Sequence, residues 1–175
     1  KVDKLFAILN RVKWNMVFIC FNGSRIPITN KYIKIHYINN NYYGGDITKL
    51  KNYLFNKNKA SCGFQNVVVA AIYYFIMSKA AVIKLTGVEN DWHRELTVDE
   101  NNNVYRDITH FYGIERINLT QIGEIAKGEL YKYFYYYYLT LYQYNILASY
   151  AKKNSVIIEN TCLNSFIDVF DKVQL

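Results

Sequence analysis

The chain has 175 residues and 20.7 kDa, is 51% hydrophobic and 20% charged, and carries a formal charge of +7 with a pI near 9.2. That length suits a single domain, 1–175, whose core needs neither disulfides nor a structural metal. The three cysteines, Cys20, Cys62 and Cys162, are odd in number, widely spaced and free of any CxxC pair, which argues against a disulfide framework and a zinc site alike.

Positive charge invites a nucleic-acid reading through phosphate neutralisation. The lysines, however, are scattered as singles and KxK pairs (Lys49, Lys51, Lys57, Lys59), with no basic run, no RNP-like motif and no helix-turn-helix signature. A solvated, lysine-rich surface is the expectation. The opening stretch KVDKLFAILNRVKW has no continuous apolar segment leading to a small-residue cleavage site, so no signal peptide is expected, and the expected location is the cytoplasm or another reducing compartment. Beginning with Lys rather than Met, the sequence fits a processed product or a piece of a longer chain.

Taken in order, Lys4 to Phe21 starts with helical spacing (Leu5, Ile8, Leu9, Val12) and ends in the apolar run Met16 to Phe21, read as a buried strand or helix end. Asn22-Gly23-Ser24 closes it. Tyr32 to Ile38 alternates and is rich in β-branched and aromatic residues, which predicts a strand, and NNNYYGGD is a loop by composition. Asp46 then fits the N-cap of a short helix over Ile47 to Phe55. Polar NKNKAS leads into Cys62-Gly63 and an apolar run whose core, Val67 to Met77, reads as a buried helix too short to cross a bilayer.

Ala81 to Val88 predicts a strand, and Arg94 to Val98 with Val104 to Ile108 a hairpin closed by DENNN. From Leu119 onward the pattern is mostly helical, including Tyr131 to Tyr150 and Cys162 to Val169. The tyrosine cluster KYFYYYYLTLYQY keeps helical periodicity and reads as a packing helix with phenol tips at the surface rather than a base-stacking or sugar-binding platform.

Three residues suggest chemistry. A cysteine is nucleophilic as a thiolate, favoured at a helix N-terminus, and Cys62 is expected to open the apolar helix, with Gly63 leaving room for a substrate carbonyl. Cys20 and Cys162 are expected to be buried, inert thiols. His93 is the best placed of three histidines to act as base, preceded by Trp92 as a wall; His110 competes with it, and His36 belongs to a packing or surface strand. Asp107 fits the orienting carboxylate. In a symmetric hairpin whose paired positions sum to about 202, it returns close to His93. Asn56, Asn58 and Trp14 are candidate oxyanion donors by type or nearness alone. No cofactor and no metal is expected.

The run ASCGFQNVVVAAIYYF, then AAVIKLTGV, then WHRELTVDENNNVYRD, resembles the core of the transglutaminase-like superfamily over about residues 46–113, with a helical extension over about 119–175. The resemblance implies an α+β, papain-like fold with a catalytic helix packed on a small antiparallel sheet and additional C-terminal helices. It further implies a thiol-dependent hydrolase or acyl transferase acting on a peptide or side-chain amide of a peptide or protein substrate. Cys62 would attack the acyl carbon, His93 would serve as base and then acid, and Asp107 would orient it. Relatives of this kind include members that have lost activity, so an inactive binding or structural module is the alternative, beside a basic nucleic-acid-associated domain. The chain departs from the family in carrying Met77-Ser78-Lys79-Ala80-Ala81 where a Gly-Ile-Pro-Ala-Arg-like stretch usually follows the catalytic helix.

Overall fold

The computed structural model describes residues 2–110 and 113–174 and mixes helices with small sheets. Two compact units divide the chain at Gly63, residues 1–63 and 64–175.

The first unit starts with helix α1 (Val2–Leu9), followed by strands β1 (Met16–Phe21) and β2 (Ile33–Ile38), which pair in parallel from Met16 opposite Ile33 to Phe21 opposite Ile38. A parallel pair needs a crossover, here residues 22–32 without a helix. Two asparagines fasten it. Asn30 Nδ2 donates to the Leu9 and Val12 carbonyls at 2.9 and 2.7 Å, at and just past the end of α1, while Asn10 Oδ1 accepts from the Thr29 N–H at 3.0 Å. Leu9, Val12 and Ile33 form the buried cluster beneath, with Phe6, Met16, Phe18 and Ile28 packed on it. Helix α2 (Lys49–Asn56) is capped by Thr48, whose Oγ1 accepts from the Lys51 N–H at 3.2 Å. The expected cap, Asp46, lies too early; the threonine hydroxyl takes the role two residues later.

In the second unit, helix α3 (Val67–Met77) follows the predicted apolar run, and strand β3 (Val82–Leu85) follows the helix. A 3₁₀ turn (Trp92–Glu95) leads into β4 (Leu96–Val98), β5 (Val104–His110) and β6 (Gly113–Asn118), an antiparallel meander. The β4–β5 register runs Leu96 to Arg106, Thr97 to Tyr105 and Val98 to Val104, as the hairpin reading requires. Its turn is organised by Asp99. That carboxylate accepts from the Asn101 and Asn103 backbone N–H groups, from Asn103 Nδ2 and from the Tyr105 hydroxyl, so hydrogen bonding, Asn103 foremost, holds its pKa below the usual range.

Helix α4 (Leu130–Lys153) contains the tyrosine cluster. Its buried positions, Thr140, Gln143, Tyr144, Ile146, Leu147, Tyr150 and Ala151, recur at three- and four-residue spacing, while Tyr131, Phe134, Tyr135 and Tyr138 stay exposed. Here α4 packs against α3, with Tyr73 and Tyr150 stacked at 5.8 Å. Strand β7 (Ile157–Asn160) then pairs in parallel with β3, Leu85 opposite Asn160, and with the short β8 (Asp171–Lys172) on its other side. The helix expected over Cys162 to Val169 is absent. Residues 161–170 form a loop whose side chains bond the backbone of the β3 loop, a competitor to helical hydrogen bonding.

Thus β3, α4 and β7 form a parallel crossover, the arrangement of α/β sheets, beside a separate antiparallel meander. No helix among the described residues is long and apolar enough to cross a membrane.

Candidate functional site at the carboxyl ends of β3 and β7

Cys62 belongs to the first unit and His93 and Asp107 to the second. Cys62 does not open a helix: α3 begins five residues later at Val67, because Asn66 takes the N-cap and its Oδ1 accepts from the Val69 N–H at 2.9 Å. The thiol follows the bridge between Tyr42 and Ser61, is fully buried, and lies 3.1 Å from the Gly63 carbonyl oxygen as donor. Burial pushes its pKa up to about 12, against smaller opposing effects of the backbone and of Lys51. Lys51 is itself buried on α2. Its ammonium donates to the Gly45 carbonyl and lies over the rings of Tyr43 and Phe55 at 5.4 and 5.6 Å, while desolvation lowers its pKa. The other two thiols are half-buried rather than buried. Cys20 donates to the His36 carbonyl, and Cys162 Sγ accepts from the Val88 N–H at 3.1 Å.

His93 stands on the 3₁₀ turn instead of a strand, because residues 92–95 wind out of the ladder before β4 begins. Its ring packs edge-on against Phe166 at 4.4 Å and tilted against Tyr137 at 5.3 Å. Nδ1 is buried and has no hydrogen-bond partner among the described residues. Asp107 does not supply one. It lies opposite Arg116 on β6, and its Oδ1 is 3.6 Å from that guanidinium. Arg106, the neighbouring residue on β5, reaches back instead to Glu95 at 2.7 Å. The His110 side chain lies outside the described residues.

A different group of residues gathers where β3 and β7 end. The Thr161 N–H and hydroxyl both donate to the Leu85 carbonyl, and the Thr86 and Thr161 hydroxyls meet at 3.0 Å. Ser165 Oγ donates to the Val88 carbonyl at 2.7 Å, and the Phe166 N–H to the Glu89 carbonyl at 2.8 Å. These bonds lock the two post-strand loops together. Asn160, on the central strand, is fully buried; its Oδ1 accepts from the Cys162 N–H at 3.0 Å, which assigns its Nδ2 as a donor, and that donor has no partner among the described residues. Asn90, in left-handed backbone with φ 53°, uses its carbonyl to accept from the Tyr137 hydroxyl at 2.7 Å, and its Nδ2 is likewise buried and unbonded.

Asn90 Nδ2, His93 Nδ1 and Asn160 Nδ2 are the buried side-chain polar atoms left unbonded among the described residues, and all three belong to this end of the parallel sheet. Each would cost on the order of 1–3 kcal/mol if never satisfied. Tyr137, which touches His93 and Asn90, and Trp92 also line a cavity of about 500 Å3 with Tyr133, Tyr136, Arg106 and Lys132. Sequence reasoning selected His93 and Trp92 but missed both asparagines, which carry no signal in so asparagine-rich a chain. No family model, no curated protein and no solved structure matches this chain.

Proposed function

We propose that the second unit binds a small polar molecule at the carboxyl ends of β3 and β7, with Asn90 and Asn160 donating hydrogen bonds to it and His93 making the third contact. The observation that carries this reading is the confinement of the three unbonded buried polar atoms to that end of the parallel sheet. Open α/β sheets bind ligands outside the carboxyl ends of their strands, where loops rather than ladder bonds surround the backbone. Two amide donors and an imidazole nitrogen call for a ligand with at least two acceptor oxygens, such as a carboxylate, a phosphate ester or a polyol. The neighbouring aromatic cavity suits a flatter, less polar portion of the same molecule.

Replacing His93 by Phe tests this. The ring packing against Phe166 and Tyr137 is retained while the unbonded nitrogen is removed, so the variant is expected to gain about 1 kcal/mol of stability in urea unfolding and to lose ligand binding. A loss of stability would place His93 in a structural network instead.

A second reading is the thiol hydrolase or acyl transferase on a papain-like core, with Cys62 as nucleophile, His93 as base and Asp107 as orienter. One observation favours it: the charge of Lys51 draws the Cys62 pKa down. Burial works against that effect and is the larger of the two.

A further inference from the structure

The division at Gly63 sorts the charges. Residues 1–63 hold eleven Lys and Arg against two acidic residues, Asp3 and Asp46, a formal +9, whereas residues 64–175 hold ten basic and twelve acidic residues, a formal −2. The excess of positive charge therefore belongs to the first unit, where few acidic residues offset it, and Lys51 is its one buried cation among the described residues.

The same unit leaves large apolar side chains in solvent. Leu5 and Ile8 share a face of α1 at i, i+3 spacing and are 47% and 64% exposed; Trp14 is 63% and Val17 47% exposed. The core below α1 is satisfied by Phe6, Leu9 and Val12, so the exposed pair is not needed for it. Exposed cations adjoin α1 and Trp14 in the sequence. Lys4, Arg11 and Lys13 are exposed sequence neighbours of Leu5, Ile8 and Trp14, whereas Val17, in an open cleft with Lys31 and Lys34, lies on the side of β1 turned away from α1.

We infer that the outer face of α1 docks on an anionic bilayer surface, with Leu5 and Ile8 at the acyl boundary, Trp14 at the headgroup level and Lys4, Arg11 and Lys13 on the phosphates. The inference is independent of the ligand reading, since it rests on the first unit alone. Charge complementarity points to a polyanion, and the apolar side chains decide which kind. Aliphatic Leu5 and Ile8 offer a nucleic acid no stacking surface, yet they partition into the interface of a membrane, where basic residues and tryptophan are favoured neighbours. A second copy of the chain would bring like charge against like charge on the same face.

The test is co-sedimentation of the whole chain with vesicles of phosphatidylcholine alone or with about 30% phosphatidylserine, at about 0.1 M and about 0.5 M salt. Binding is expected to be at least tenfold stronger on the anionic vesicles and to fall steeply at the higher salt. Leu5→Gln with Ile8→Gln, exposed positions given a good helix former, is expected to reduce it about tenfold with an unchanged circular dichroism spectrum. Lys4→Glu with Lys13→Glu is expected to reduce it and to flatten the salt dependence. Equal binding to neutral and anionic vesicles, or full binding by the double glutamine variant, would overturn the inference. So would capture of a polythymidine oligonucleotide in preference to anionic vesicles, or a dimer abolished by the glutamine variant without any vesicle binding.

Discussion

At the scale of single residues, solvent access decides what Cys62 can do. With its pKa pushed up to about 12 and its side chain fully buried, the thiolate is scarce at neutral pH. Its alkylation by iodoacetamide near pH 8 is expected to be about a thousandfold slower than in the denatured chain. Faster labelling of Cys62 than of the denatured thiol would restore the catalytic reading. The same shift has a stability consequence. Because the folded pKa lies above that of the unfolded chain, the contribution is complete below about pH 8.5. It is lost as pH rises toward 12, by about 1.4 kcal/mol per pH unit. Urea titrations across this range should show that alkaline slope, and Cys62→Ala should flatten it. The sequence displayed the residue types that carry chemistry, but not their burial: the polar run NKNKAS suggested an open helix start, while the cap signal that mattered was Asn66, directly before three valines.

At the scale of elements, periodicity and turn chemistry were readable where hydrogen bonding is local. Helix α3, strand β2 and the Asp99 hairpin all form where their patterns place them, because each is specified by its own apolar spacing or turn residues. Asn66 is the clearest case. Its side chain caps α3 and donates to the Tyr144 hydroxyl at 3.4 Å. Asn66→Ala is expected to cost about 1 kcal/mol and to lower the melting temperature by about 3 °C, read by differential scanning calorimetry; an unchanged melting temperature would contradict the capping assignment. Less was readable where the partner is distant. The short β-branched run of β7 was absorbed into a helical tail, and the 161–170 loop gives up helical bonding for contacts with the loop after β3, more than 70 residues earlier.

At the scale of the whole molecule, what the sequence could not display is juxtaposition. The parallel pairing of β3 with β7 bridges 75 positions and, with the bonds between the loops that follow the two strands, brings the end of β7 at Asn160 to the segment that carries Asn90 and then His93. Charge is the other large-scale feature, hidden in a composition of +7 until the chain is divided at Gly63. The expected triad was assembled from order along the chain. The structure instead leaves Asp107 on Arg116 and His93 among aromatic rings, with a nitrogen unspent. The ligand reading depends on that juxtaposition, and nuclear magnetic resonance examines it most directly. Side-chain amide signals of Asn90 and Asn160, assigned by substitution to Asp, would be followed together with the His93 ring during titration with a panel of carboxylates, phosphate esters, nucleosides and polyols. A ligand from this panel is expected to shift all three sets of signals together, with one saturation curve. Amide protons that already exchange slowly through a buried water, with no panel member shifting Asn90, His93 or Asn160, would contradict the ligand reading.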